Sequence, residues 1–278
     1  MNGKAKSATA SLLIRRHFTK VLGVLSSVVI LSIALWFLHR ELADLSRDAV
    51  LAQIRAIPVF TLLAAVVFTV CSYFFLTGYD ALALRHIGRK IDYRQTAFAS
   101  FLAFAVGNNV GVAALSGGSI RYRLYSLSGL SGSDITKVIV FVTVTFVLGV
   151  SLLLGLAMVL MPIAQTEVLK LPPRVLDALG VFLLALPLSY TAATIFRSTP
   201  ICVGNWKVSL PRPSIALAQF GVSIIDLSFA AATLYVLLAP VIDISFLGFL
   251  GIYLLALAAG LISGVPGGVG VFETALMA

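Results

Sequence analysis

The sequence predicts an all-α, polytopic transmembrane helical bundle containing re-entrant, broken helical hairpins, and three observations carry that prediction. Of the 278 residues, 60% are hydrophobic and 11% are charged, where soluble domains usually carry about a quarter charged residues. Mean hydropathy is +1.05, and the apolar residues gather in runs long enough to cross a hydrocarbon core about 30 Å thick. Finally, Asp226 stands in the middle of one such run, Ser214 to Ala239. An ionisable group at membrane depth costs several kcal/mol and persists only with a partner, a wet cavity or a function.

Residues 1–20 form a basic N-terminal segment with Lys4, Lys6, Arg15, Arg16 and Lys20. The apolar run 21–38 that follows ends in Trp36, Phe37, His39 and Arg40 rather than in a small-residue cleavage site. It therefore reads as a retained signal anchor, with the N-terminus cytoplasmic. Further helices are predicted at 57–79, 138–162, 177–196, 214–239 and 246–263. All of residues 21–278 are expected to form one membrane domain. Residues 267–278 remain apolar with no basic flank, so the domain is expected to continue beyond residue 278.

Two uncharged regions do not read as plain helices. Residues 95–120 contain Asn108, Asn109 and four glycines. If this stretch crossed the membrane once, Lys and Arg would divide 11 inside to 9 outside. If it enters and leaves on one side, 15 lie inside and only Arg40, Arg47, Arg55, Lys170 and Arg174 lie outside. The positive-inside rule selects the second arrangement. Residues 95–120 are thus predicted to be a re-entrant hairpin broken between Gly107 and Gly111, lining a cavity that satisfies its non-helical backbone. The alternative is one helix frayed near Gly117 and Gly118. The second region, SGVPGGVGVF at 263–272, is broken by Pro266, Gly267 and Gly268. A helix followed by a broken segment occurs twice, in opposite directions, which is the pattern of an inverted repeat as found in transporters.

The net charge of +9 suits basic loops facing anionic lipid headgroups. The cations are dispersed between apolar spans, which argues against nucleic-acid binding. Cys71 and Cys202 make no disulfide framework, and His17, His39 and His86 have no ligand spacing, so neither a metal site nor a cofactor is expected. The PGGVG run lacks the Lys-Ser/Thr of a phosphate-binding loop. HExxH and GxSxG are absent as well, and no catalytic residue is assigned.

The candidate pathway acids are Asp226, Glu273 and Asp80. Asp226 is either a counter-charge in a polar cavity or a neutral carboxyl bonded to a neighbouring helix. Gln219 shares its helix face. Glu273 follows the Pro-Gly break, where the N-terminal dipole of a new half-helix would stabilise a carboxylate; otherwise it is an ordinary interfacial residue. Asp80, ending the helix at Gly78-Tyr79-Asp80, is either functional or an interfacial cap. Arg121 and Arg123 flank Tyr122 in SGGSIRYRLYSLSGLS and are candidates for binding a lipid phosphate, since the guanidinium fork donates two hydrogen bonds at once. Their alternative is a basic membrane flank. Asn108 and Asn109 either contact a headgroup or satisfy broken backbone.

ALSGGSIRYRLYSLSGLS (114–131) and SGVPGGVGVFE (263–273) resemble signature segments of the MprF family, lysylphosphatidylglycerol synthetases with a membrane flippase domain. Gly78-Tyr79-Asp80, the GNNVG break and Asp226 fit that pattern in order and spacing. The resemblance covers the chain after about residue 20. It implies a domain that moves lysyl- or alanyl-phosphatidylglycerol from the inner to the outer leaflet of the bacterial cytoplasmic membrane, conferring resistance to cationic antimicrobial peptides. It implies as partners phosphatidylglycerol, its aminoacylated form and a C-terminal synthase domain of the same protein carrying phosphatidylglycerol lysyltransferase activity; a homodimer is compatible with it. Relatives without a synthase domain also exist. Two other functions suit the same residues, a secondary transporter of a small solute and a membrane platform for a cytoplasmic enzyme.

Overall fold

The structure, a computed structural model, describes residues 52, 55–107, 113–160, 172–197, 201–203, 206–263, 268 and 270–277. The predicted helix 21–38, the asparagines 108 and 109, Gly111, Pro266 and Gly267 lie outside the described residues. Eight helices are described: α1 (Val59–His86), α2 (Tyr93–Gly107), α3 (Ala113–Leu127), α4 (Gly132–Leu160), α5 (Pro173–Phe196), α6 (Pro213–Leu238), α7 (Phe246–Ser263) and α8 (Val271–Met277). Five of them, α1, α4, α5, α6 and α7, are long and apolar enough to cross a membrane. Between α5 and α6 lies a short antiparallel ribbon, β1 (Ile201–Val203) with β2 (Trp206–Val208), in the register Ile201↔Val208. This ribbon was not expected from an all-α reading.

Local chemistry sets the helix ends. Pro173 and Pro213 open α5 and α6 at the first helical turn, where a missing N–H costs nothing. Ser131 caps α4 through the Asp134 N–H (3.2 Å), Asp92 caps α2 through the Arg94 N–H (3.2 Å) and Ser245 caps α7 through the Gly248 N–H (3.3 Å), each relieving an orphan donor. At the C-termini of α1 and α3, Gly88 and Gly129 adopt φ of +71° and +81°. The Arg89 N–H reaches the Leu84 carbonyl and the Leu130 N–H reaches that of Tyr125, closing Schellman motifs that turn the chain sharply back.

Helix α1 runs past the predicted end at residue 79 to His86, two turns beyond Asp80. The reading of Asp80 as a helix-ending interfacial cap is therefore corrected: its carboxylate is buried inside the helix run, where a partner removes the cost that made a helix end look necessary. Helix α4 begins six residues before the predicted position, since Ser131, Asp134 and Lys137 form a capped polar first turn.

The break in 95–120 is a hairpin. Helices α2 and α3 flank residues 108–112, and Gly117 of α3 lies against the backbone of Ala103 in α2, where an added Cβ would come within 2.8 Å of the Ala103 carbonyl oxygen. Arg89, between α1 and α2, pairs with Asp134, at the start of α4 (Nη2–Oδ2 2.7 Å). Both ends of the hairpin therefore sit at one end of the bundle, with Arg85, Arg94, Arg123 and Lys137 near them.

Helices α1 and α6 form the central pair and run antiparallel. Thr69 meets Thr233, Ser72 meets Asp226, Phe75 stacks on Phe229, and Gly78 faces Val222. Each is followed by a broken segment, α2/α3 after α1 and α7/α8 after α6. In the second, Gly268 approaches Gly260 and Phe272 packs on the Tyr253 ring. The 154-residue separation of Val59 from Pro213 also separates Ser72 from Asp226 and Phe75 from Phe229. Counted from their helix starts, Ser72 and Asp226 hold corresponding positions in the two antiparallel helices, and they touch.

A candidate translocation site between the hairpin and the central helices

Two buried polar clusters lie back to back across residues 79 and 80 of α1. Adjacent helical residues point about 100° apart, so Tyr79 faces α6 while Asp80 faces the hairpin. On the α6 side, the Asp226 carboxyl is 3% exposed. Ser72 Oγ donates to its Oδ1 at 2.6 Å and the Tyr79 hydroxyl donates to its Oδ2 at 3.1 Å. Ser72 and Tyr79 are seven residues apart, two helical turns, which puts both hydroxyls on one face of α1. None of the ion pairs among the described residues involves Asp226.

On the hairpin side, Asp80 is fully buried. The Arg121 guanidinium grips it with two bonds, Nε to Oδ1 at 2.9 Å and Nη2 to Oδ2 at 2.8 Å. The Tyr125 hydroxyl adds a third at 2.9 Å to Oδ1, and the Phe104 ring of α2 lies under the guanidinium, 4.7 Å from Cζ to ring centroid. Arg121 and Tyr125 share a face of α3 at i, i+4. Ser100 of α2 donates to the Leu76 carbonyl at 3.1 Å, so both arms of the hairpin are tied to α1. Paired in this way, the two ions satisfy one another; either alone at this depth would be a severe penalty.

A third polar group braces the outer helices. Gln219, one face with Asp226 on α6, accepts from the Tyr190 hydroxyl of α5 at 2.7 Å and donates to Thr145 Oγ1 of α4 at 2.6 Å.

The predicted site residues are thus distributed unevenly. Asp80 and Arg121 meet, and Asp226 lies one residue's width away through Tyr79. Arg123 does not join Arg121. Two residues apart on a helix, they face nearly opposite ways, so Arg121 is buried on Asp80 while Arg123 is exposed. The two candidate phosphate-binding arginines therefore do not sit side by side. Glu273 is exposed, at the third position of α8, and accepts the Gly270 N–H at 2.7 Å, half of a capping box; this is the half-helix start expected of it. Gly107 ends α2 and is buried, and Gly268 is buried with φ +67°. Sequence reasoning missed Ser72, Tyr79, Tyr125, Thr145 and Tyr190. The i, i+4 spacing of Tyr125 from Arg121 and the adjacency of Tyr79 to Asp80 were the available signals. Among the described residues no cluster of three or more His, Cys, Asp or Glu could hold a metal.

A polytopic helical membrane protein with a re-entrant hairpin locked to its central helix by a buried ion pair is the class these features define. The chain belongs to the family described as the lysylphosphatidylglycerol synthase TM region, whose pattern it matches over residues 23–278. It is 37% identical over 240 residues to the uncharacterized protein slr0712 of Synechocystis sp. (strain ATCC 27184 / PCC 6803 / Kazusa), covering 86% of this chain and 74% of that one. It is 33% identical over 225 residues to the inner membrane protein YbhN of Escherichia coli (strain K12), covering 78% and 68%. It is 25% identical over 270 residues to the phosphatidylglycerol lysyltransferase of Staphylococcus xylosus, covering 95% of this chain but 30% of that protein.

Proposed function

We propose that this domain moves aminoacylated phosphatidylglycerol, lysyl or alanyl, from the inner to the outer leaflet of the bacterial cytoplasmic membrane, with the basic end of the bundle cytoplasmic. The observation that carries this reading is the Asp226 carboxyl, buried where the antiparallel helices α1 and α6 meet and held by hydroxyls alone. A headgroup ammonium crossing the membrane needs a fixed counter-charge to offset its desolvation, and this carboxyl supplies one. Arg123 at the basic end meets the lipid phosphate first. Arg121 offers a second phosphate contact when the hairpin shifts and Asp80 is released, with Asn108 and Asn109 as further headgroup partners and Glu273 as a further counter-charge. The acyl tails stay in lipid while the headgroup passes along the seam of α1, α6 and the hairpin.

The match to a named phosphatidylglycerol lysyltransferase along 30% of its length supports a larger arrangement. In it a synthase domain of the same protein makes the lipid, this domain exports it, and reduced surface charge gives resistance to cationic antimicrobial peptides. The test is headgroup translocation in proteoliposomes holding the full-length protein and fluorescent lysyl-phosphatidylglycerol, read by dithionite quenching of the outer leaflet. Wild type should move the lipid and D226N should not. Lipid movement at the same rate by a folded D226N would remove Asp226 from the pathway. No movement by wild type would favour the secondary transporter of a small solute, which paired inverted units also suit.

A further inference from the structure

The two buried carboxyls of the site are treated differently by their neighbours. Asp80 is compensated by a guanidinium held in two hydrogen bonds. Asp226 is equally removed from solvent but faces only neutral groups. From α1 these are Ser72 and Tyr79, and from α7 the Tyr253 phenol lies within electrostatic reach. On α6 its own neighbours are Ser223 and Leu227, which pack on Gly149 of α4, while the Gln219–Tyr190–Thr145 group ties α6 to α5 and α4 without charge. Asp80 and Arg121, on the far side of Tyr79, neutralise one another. A lone carboxylate in such surroundings calls for one positive charge.

We propose that Asp226 is an exchange site at which a proton and a headgroup ammonium compete, so that a cationic lipid moves outward as a proton moves inward. The inference rests on the lipid-translocation reading and gives it a direction and an energy source. In the step facing the cytoplasm, the neutral acid gives its proton to water and the ammonium pairs with the carboxylate left behind. Facing the opposite side, a proton from water adds to the carboxylate and the ammonium leaves. No net charge is gained in the membrane at either step. Because the Ser72–Asp226 contact joins the equivalent helices of the two units, the occupant of this carboxyl is sensed by both. Ser72 and Tyr79 can serve either state, since a hydroxyl donates to a carboxylate and accepts from an acid.

Competition at one site has a reciprocal signature: if the proton weakens lipid binding, the lipid must expel the proton. The first measurement uses full-length protein in weakly buffered detergent with a pH-sensitive dye. At a pH low enough that Asp226 is neutral in the free protein, adding short-chain lysyl-phosphatidylglycerol to wild type should release close to one proton per chain, falling as the pH is raised, and phosphatidylglycerol, which lacks the ammonium, should release none. Q219L, which keeps the carboxyl and both of its hydroxyl partners, should still release the proton, and D226N should not. The second uses phosphatidylethanolamine/phosphatidylglycerol proteoliposomes with fluorescent lysyl-phosphatidylglycerol. One pH unit of gradient should enrich the lipid on the acidic side by about tenfold at equilibrium, because one-for-one exchange equates the two gradients. Lipid movement by wild type with neither proton release nor a response to the gradient overturns the exchange and leaves the translocation reading intact. That comparison needs no variant, so it decides the matter even if D226N fails to fold. Proton release by a folded D226N overturns the assignment to Asp226. Absence of lipid movement altogether overturns the translocation reading and this inference with it.

Discussion

Arg121 and Asp80 meet as a planar fork across the seam between the hairpin and the central helix, 2.9 and 2.8 Å apart at their two contacts, with 6% and 0% of the side chains exposed. Forty-one residues separate them in the chain, and α3 has no other described ion pair to α1. The hairpin is thereby pinned by a bond whose strength depends on both charges being present. Removing one leaves the other buried and unpaired, whereas removing both can be nearly neutral. D80A and R121M should therefore each lower the stability of the full-length protein by about 3–5 kcal/mol, and the D80A/R121M double variant by clearly less than their sum. Unfolding curves of the four proteins in the same detergent give the coupling directly. Additive losses would mean that the two side chains do not hold the hairpin together.

The α4–α6 contact turns on Gly149. A Cβ placed there would lie 2.5 Å from Cβ and 2.6 Å from Oγ of Ser223, and although Oγ can rotate about χ1, the Cβ is fixed to the backbone of α6 and cannot swing away. G149A should cost about 1–3 kcal/mol through overpacking, despite the better helix propensity of alanine. S223G in the same protein should restore most of that loss. Thermal unfolding of G149A with and without S223G checks both directions.

Much of this architecture was legible because hydropathy and charge act through simple physics. The spans at 177–196, 214–239 and 246–263 fall within a few residues of α5, α6 and α7, since each is bounded by a proline, a capping serine or a Gly-rich break. The distribution of Lys and Arg implied that 95–120 leaves on the side it entered, and the Arg89–Asp134 pair places both ends of α2/α3 at one end of the bundle. Asp226 stood out as an acid in an apolar run. Its partners did not, because Ser72 and Tyr79 lie on another helix and a lone sequence carries no cross-helix register. The same gap misplaced Asp80: without sight of Arg121 across the hairpin, a charge at that depth looked like a helix end. Arg123 was grouped with Arg121 by sequence proximity, although helical geometry sends the two to opposite sides.

Gln219 separates a structural role from a functional one. Its amide joins Tyr190 and Thr145 at 2.7 and 2.6 Å, bridging three helices, and it lies on the same face of α6 as Asp226. Q219L keeps the volume and leaves two hydroxyls without their shared partner. Inter-helix polar contacts in membranes are worth about 0.6–2 kcal/mol each, so a stability loss of about 1–3 kcal/mol is expected. Lipid movement at a temperature where the variant stays folded should remain within a fewfold of wild type. A complete loss of movement in a folded Q219L would extend the pathway from Asp226 toward α4 and α5.

The hairpin makes a topological claim that labelling can test. Arg94 at the start of α2 and Arg123 near the end of α3 lie at the same end of the bundle, joined there through Arg89 and Asp134. Arg55 before α1 and Arg174 at the start of α5 lie at the other, because α1 and α5 both run toward the basic end. Single cysteines at these four positions, in a background with Cys71 and Cys202 replaced by alanine, should react with a membrane-impermeant maleimide in two groups. R94C and R123C should label together from the cytoplasmic side of inverted vesicles, and R55C and R174C from the outside of intact cells. A stretch that crossed the membrane once would split R94C from R123C, which the Schellman turn at Gly129 and the cap at Ser131 do not permit, since they return α3 directly into α4 at the end where α1 finishes.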